Sequence, residues 1–283
     1  MKPILKYAGG KSAMLTHLLP LIESVLSPDA TYWEPFVGGG AVAFALQHPR
    51  TAINDLNVEL MNLYNVIADT PDSLIYTLKL MQQRHSKEYY YEIRALDRNP
   101  RFWDRPEVDI ASRTVYLNKT CFNGLFRVNS KGYFNTPIGR TTSGKVPDIV
   151  QEKEIRELSE FLKHCDRHTG YYDEWLLNAD IRPGDIVFMD PPYDPGEEIH
   201  TSGYTSYQKE GWTRDDLVRL KTVADVMVER GANVILTNNS TEFVKDLFKH
   251  WYQKEVPVKH SINCKGDNRQ AKEIIISSVP FPC

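Results

Sequence analysis

The sequence predicts an α/β fold, a parallel sheet whose chain is interrupted by a mostly helical insert, and three observations predict it. Short runs rich in β-branched and aromatic residues end at turn or acidic residues at Thr31 to Phe36, Thr51 to Asp55 and Asp185 to Asp190, with Asn233 to Thr237 and Glu273 to Val279 adding two more. Runs of this length, bounded in this way, read as buried strands. Ahead of the fourth run lies a helix in which Thr213 and Asp216 have capping-box spacing, Leu217, Leu220, Ala224 and Met227 share the apolar face, and Gly231 is the stop. Such strand, helix, strand alternation implies a parallel sheet. The third observation is that no parallel-strand candidate occurs from about Asn57 to Asp148.

Within that stretch the patterns are helical and then hairpin-like. Leu60, Leu63, Tyr64 and Ile67 share one helical face; Thr70 caps and Pro71 opens a second helix carrying Leu74, Leu78 and Met81. A third helix is expected from about Glu107 to Cys121, with Ile110, Thr114, Leu117 and Cys121 on one side. Val128-Asn129-Ser130-Lys131-Gly132-Tyr133 then reads as a tight hairpin, Gly132 supplying the positive φ of the turn. The expected organisation is a discontinuous α/β domain, residues 1–56 and 149–283, interrupted by a second domain at 57–148.

Composition narrows the function classes. A chain of 283 residues with 41% hydrophobic content buries a sizeable core unaided. No run of 18 apolar residues exists, and Gly9-Gly10-Lys11 interrupts the N-terminal segment before a signal-peptide core forms, so neither membrane spanning nor export is expected. Cys121, Cys165, Cys264 and Cys283 form no Cys-x-x-Cys pair, which argues against a zinc cage and a disulfide framework and for a cytoplasmic protein without metal. The net charge of −3 conceals an asymmetry: Ile110 to Pro147 contains no Asp or Glu but has Arg113, Lys119, Arg127, Lys131, Arg140 and Lys145. Removing these six from 34 basic residues leaves 28 against 37 acidic ones, so +6 faces −9. This is either a polyanion-binding surface or a solvated loop region that lacks acids.

Two constellations carry chemistry. Glu34-Pro35-Phe36-Val37-Gly38-Gly39-Gly40 follows the first strand, where glycines let the backbone turn sharply and approach a ligand at the carboxyl end of a sheet. Asp55 ends the next strand at the spacing at which a carboxylate accepts ribose hydroxyls, the bland alternative being a helix N-cap. Gly38, Gly40 and Ala43 also satisfy Gly-x-Gly-x-x-Ala, which keeps a nicotinamide enzyme open. The second constellation is Asp190-Pro191-Pro192-Tyr193, at the end of Ile186-Val187-Phe188-Met189. Two prolines fix φ and remove two donors, leaving a stiff backbone whose carbonyls are acceptors beside the Asp190 carboxylate. That arrangement suits an –NH2 group, and the Tyr193 ring offers a face on which a planar heterocycle can stack. With its two hydrogens accepted by Asp190 and the Pro191 carbonyl, an aromatic amine nitrogen is held pyramidal and its lone pair aimed at an electrophile. The matching electrophile is the methyl group of S-adenosylmethionine.

At these residues the sequence resembles the Dam-type (D12 class, alpha group) DNA adenine-N6 methyltransferases along nearly its whole length. Lys6-Tyr7-Ala8-Gly9-Gly10-Lys11 is similar to that family's first cofactor motif; the Glu34 loop, Asp55 and Asp190-Pro191-Pro192-Tyr193 follow in the family's order. The likeness is most specific over Asn118 to Gly132 and Phe134 to Arg140. The resemblance implies a Rossmann-like S-adenosylmethionine-dependent methyltransferase sheet with an inserted helical and β-hairpin DNA-recognition domain acting on duplex DNA; a monomer on DNA is expected, with protein partners unknown. It implies that Tyr7 packs on the cofactor with Ala8, Gly9 and Lys11 nearby, and that Glu34, Pro35, Phe36, Gly38, Gly40, Asp55, Asp173 and Asp190 complete its site. The resemblance further implies that Lys6 approaches a target base, that Phe122 is an aromatic wedge beside the displaced adenine, and that Leu125 and Arg127 read bases. By the same resemblance Asn123, Asn129, Lys131, Pro137 and Arg140 are expected as supporting contacts, with GATC as the target.

Asp173 is followed by Glu174, where the family usually has Phe. Thr205-Ser206-Tyr207 and Gly211-Trp212 resemble a segment that orders around substrate, and Asn238-Asn239-Ser240 either lines the site or forms a plain strand-end turn. For Phe122 the alternative is a core aromatic under the hairpin. Competing functions are methylation of RNA or of a protein glutamine, nicotinamide-dependent oxidoreduction, and DNA binding without catalysis.

Overall fold

The computed structural model describes residues 1–7, 9–139, 147–196, 211–258 and 271–282. Seven strands form one sheet in the order β3-β2-β1-β4-β5-β7-β6. The five strands β1 (Tyr32–Glu34), β2 (Thr51–Asp55), β3 (Asp166–Thr169), β4 (Ile186–Met189) and β5 (Asn233–Asn239) are parallel; β7 (Ala271–Ser277) runs antiparallel between β5 and β6 (Tyr252–Val258). The expected parallel sheet is thus present, and β6 and β7 add an antiparallel pair at its far edge. Strand runs at β1, β2, β4, β5 and β7 were legible in the sequence, but β3 and β6 were not. Three of the four residues of Asp166–Thr169 are exposed, so this edge strand carries no apolar signal.

Ile186 to Met189 are completely buried, because helices cover both faces of the sheet. One apolar layer joins Phe44, Ile53, Leu60, Phe188 and Ile235; the other joins Val187, Met189, Leu217, Leu220, Met227 and Leu236. The second layer is supplied by α9 (Arg214–Glu229), whose capping box closes as predicted: Thr213 N–H donates to Asp216 at 2.8 Å and Asp216 N–H to the Thr213 hydroxyl at 3.3 Å. Gly231 follows its end with φ 90°.

Between β2 and β3 stand α3 (Val58–Asp69), α4 (Pro71–Gln83), α5 (Lys87–Ala95), α6 (Glu107–Thr120) and α7 (Glu152–Leu162). Pro71 opens α4 and Thr70 stands at its N-cap as expected, but the Thr70 hydroxyl makes no capping bond and donates back to the Val66 carbonyl at 3.4 Å. The third predicted helix is α6, and it is buried nearly all round because α3, α4 and α5 pack against it. The hairpin forms around Val128 and Phe134, which bridge antiparallel, and Gly132 has φ 80°. No helix among the described residues is long and apolar enough to cross a membrane.

Candidate active site and nucleic-acid interface

The carboxyl ends of β1, β2 and β4 lie side by side, so Glu34, Asp55 and Asp190 converge there. Glu34 is 2% exposed; its Oε2 accepts the Tyr32 hydroxyl at 2.9 Å and the Ala43 N–H at 3.0 Å. Ala43 lies in the first turn of α2 (Ala41–Leu46), so the carboxyl group occupies the amino end of that helix. A pyrophosphate bound by Gly-x-Gly-x-x-Ala would need the same donors, which argues against the nicotinamide reading. Burial pushes the Glu34 carboxyl up to about 8; the Tyr32 hydrogen bond opposes this, and the Asp190 charge adds to it.

Asp55 is not the helix cap that its position allowed. Asn57 caps α3 by accepting the Leu60 N–H at 3.2 Å, while the Asp55 oxygens accept the N–H groups of Gly38 and Asn57, each at 2.9 Å. Asp55 thereby fixes the glycine loop, and Tyr64 donates its hydroxyl to the Gly38 carbonyl at 2.6 Å. Desolvation raises the Asp55 carboxyl above its usual range despite these N–H donors. The loop's glycines are required by contact: a Cβ at Gly39 would lie 2.8 Å from Tyr7 Cβ, and one at Gly40, where φ is 72°, would lie 2.2 Å from the Phe44 ring. Tyr7 therefore packs directly on the loop. Pro35 is buried with its carbonyl held by Asn54 at 3.0 Å, and the Phe36 ring packs against Tyr172 at 4.8 Å with a tilt of 37°, beside Trp212.

Asp190 is held from two sides. Its Oδ1 accepts the Thr237 hydroxyl at 2.7 Å and pairs with Lys11 Nζ at 2.8 Å. Lys11 is 4% exposed, also donates to the Gly9 carbonyl at 2.6 Å, and lies 4.8 Å from the centre of the Tyr193 ring. Tyr193 is half-buried, and its hydroxyl donates to Glu273 at 2.5 Å. Burial drives this phenol far above its usual range, with the Asp190 and Glu273 charges adding to it. Pro191 is buried and Pro192 partly so. Behind them, Asn238 accepts the Asp194 N–H at 3.0 Å and Asn239 donates to the Asp194 carbonyl at 2.9 Å, so the Asn-Asn pair secures the backbone after the prolines. Asp173 is buried and ion-paired with Arg219 of α9. Sequence reasoning missed Thr237 and Glu273; the one signal available was that polar residues end a buried strand at Thr237-Asn238-Asn239.

The insert presents the second half of the candidate site. Phe122 is 41% exposed, which removes the core-aromatic alternative. Asn123, with φ 56°, is exposed beside it, as are Lys6, Arg127, Asn129, Lys131 and Pro137, whereas Leu125 is partly buried. Several of these side chains are engaged within the protein. Arg127 Nε donates to Asn135 at 2.7 Å, and Asn129 Oδ1 accepts the N–H groups of Lys131 and Tyr133 at 3.0 and 3.1 Å. The Pro137 carbonyl accepts the Phe122 N–H at 2.9 Å. Ala8, Arg140, Lys145 and Thr205-Ser206-Tyr207 lie outside the described residues. Arg113, one of the six basic residues of the surplus, is 1% exposed and pairs with Glu59 at 3.0 Å and Asp97 at 2.7 Å. It belongs to the core and is removed from the polyanion-binding surface.

A parallel sheet with this strand order and an antiparallel β7 is the fold of S-adenosylmethionine-dependent methyltransferases. Residues 7–263 match the family described as D12 class N6 adenine-specific DNA methyltransferase. The chain is 36% identical over 279 residues to the Type II methyltransferase M1.LlaDCHI of Lactococcus lactis subsp. cremoris, covering 98% of this chain and 95% of that one. It is 36% identical over 284 residues to the Type II methyltransferase M.MjaIII of Methanocaldococcus jannaschii, covering 95% and 96%. To the DNA adenine methylase of Escherichia coli K12 it is 28% identical over 282 residues, covering 98% and 94%. The chain belongs to the D12 class of N6 adenine-specific DNA methyltransferases.

Proposed function

We propose that this protein transfers a methyl group from S-adenosylmethionine to N6 of an adenine swung out of duplex DNA at a specific short sequence, with GATC the expected target. The observation that carries this reading is the doubly held Asp190 carboxylate at the end of β4, beside a rigid diproline backbone and an aromatic face, one strand from the glycine loop. The loop suits the donor in its chemistry. Each Asp55 oxygen takes one N–H and retains acceptor capacity for a ribose hydroxyl, beside glycines that let a ligand approach the backbone. When bound, S-adenosylmethionine supplies a methyl group on a sulfonium leaving group. Tyr7, Gly9, Lys11, Glu34 to Gly40, Asp55 and Asp173 are the residues we assign to its site.

Asp190 and the Pro191 carbonyl accept the two hydrogens of the adenine amine, orienting its lone pair. Thr237 and Lys11 fix the carboxylate so that no reorganisation is needed at the moment of transfer. The Tyr193 face and the exposed Phe122 ring offset the few kcal/mol that unstacking the base costs. Residues 57–148 form the target-recognition domain: Lys6, Leu125 and Arg127 read bases, while Asn123, Lys131, Pro137, Arg140 and the remaining exposed cations fix register on phosphates. We further propose that the protein acts as a monomer on DNA in the cytoplasm. Two relatives are named as Type II methyltransferases, which supports a role in restriction–modification. The test is to incubate the protein with labelled S-adenosylmethionine and mixed-sequence duplex DNA and to map the label. Label at adenine N6 within one short sequence is expected; label on RNA, protein or cytosine, or none, overturns the reading.

A further inference from the structure

Asn118 stands in the last turn of α6, and its carboxamide makes three hydrogen bonds across the junction between the N-terminal segment and the insert. Oδ1 accepts the Lys6 N–H at 2.9 Å; Nδ2 donates to the Lys6 carbonyl at 2.8 Å and to the Gly124 carbonyl at 3.2 Å. An amide that bonds both the N–H and the C=O of one residue reproduces the two-bond exchange of paired antiparallel strands. Lys6, which lies in no strand, is tied down as firmly as if it did. Its other side is closed by Gly124, where φ is 68° and a Cβ would stand 2.7 Å from Lys6 Cβ and 2.8 Å from its Cδ. The Lys6 stem thus lies along the turn that carries Phe122 and Asn123, while the residue as a whole stays exposed.

We propose that Asn118 is a specificity-positioning residue: it locks Lys6, from the α/β part of the chain, in register with the recognition hairpin, so that the two read the duplex as one surface. The inference rests on the reading of Lys6 and the hairpin as DNA contacts. A long cation on an unfixed segment supplies phosphate attraction without base choice, whereas base choice requires a fixed backbone. An amide suits the latch because it matches two carbonyls and one N–H without adding charge beside DNA. Lys119, the next residue, is pulled down to about 8 by burial and by the Lys6 charge, as expected for two cations gathered at one polyanion contact.

The experiment measures methylation of duplexes carrying the preferred site and each single-base-pair change, for the wild type, Asn118→Ala, Lys6→Ala and the double variant. For Asn118→Ala we expect unchanged S-adenosylmethionine affinity and thermal midpoint, with discrimination reduced about 10-fold at a single base pair. The same base pair should be affected by Lys6→Ala, and the double variant should be no worse than Lys6→Ala alone. Unaltered discrimination, losses that multiply, or a uniform loss at all sites with a lowered midpoint overturns the inference. Should Asn118→Ala fail to fold, Asn118→Asp keeps the acceptor for the Lys6 N–H, removes both donors, and is subject to the same criteria. A wild type that methylates no duplex adenine overturns the functional reading and the inference with it, an outcome distinct from all the others.

Discussion

Asp190 has two obligations, and its substitutions separate them. It is assigned to hold the adenine amine, and it neutralises Lys11, whose side chain is 5% exposed. Asp190→Ala should therefore abolish transfer while leaving DNA affinity within about twofold, and should also lower stability, because an unpaired buried ammonium costs about 3 to 5 kcal/mol. Adding Lys11→Met should restore the thermal midpoint without restoring transfer; failure to recover would mean that the pair is not the source of the loss. Glu34 yields a pH prediction. Its carboxyl is raised from an ordinary 4.5 to about 8 in the folded protein, so the folded state holds a proton that the unfolded state has released between these values. That contribution to stability is complete below about pH 4.5 and is lost as pH rises toward 8. Glu34→Gln should flatten the fall in thermal midpoint across this window, as calorimetry at several pH values would register. Asp190, its prolines and Tyr193 were legible because their chemistry is contiguous in the chain. Thr237 and Glu273 were not, because strand register 47 and 80 residues away brings them to Asp190 and Tyr193.

Among elements, legibility followed burial. Strands β2, β4, β5 and β7 carry buried apolar residues and β1 buries Tyr32, whereas β3 is a largely exposed edge and β6 runs Gln253-Lys254-Glu255 before the buried Val256. Helix α6 was found by its period, but one apolar face was expected; helices packed around it bury Arg113 as well as Ile110, Val115 and Leu117. At its end, Lys119 predicts how the helix and hairpin respond to pH. Burial first, then the Lys6 charge, brings its ammonium down to about 8, with Asp148 and Glu154 opposing. A DNA phosphate against it would restore the ordinary value near 10.5, so the complex keeps a proton that the free protein loses as pH passes 8. Affinity for DNA should be flat below about pH 7 and fall by up to tenfold per unit above 8. Lys119→Met should remove the decline; an unchanged slope would mean that Lys119 does not meet DNA.

For the whole molecule the decisive quantity is where charge resides, since the net value of −3 would suggest poor affinity for a polyanion. The acid-free stretch is real in sequence, yet its six cations are not equivalent in space. Arg113 satisfies Glu59 and Asp97 and donates to the Ile93 and Arg94 carbonyls, while Asp97 accepts the Phe134 N–H at 2.7 Å, so this arginine braces the hairpin from inside. Lys131 stands exposed at the hairpin turn. Counting residues along the chain cannot separate these roles, because burial of a charge is decided by partners 54 and 16 positions away. DNA binding can separate them. The logarithm of affinity falls with the logarithm of salt by about 0.9 for each phosphate contact, so Lys131→Ala should reduce that slope by about 1 and leave the thermal midpoint unchanged. Arg113→Ala should do the reverse, depriving Glu59 of its guanidinium and leaving Asp97 to Arg98, at a cost of about 3 to 5 kcal/mol. Its remaining folded fraction should bind DNA with the wild-type slope, and a slope reduced by one would mean that Arg113 reaches a phosphate and that the hairpin is braced by something else.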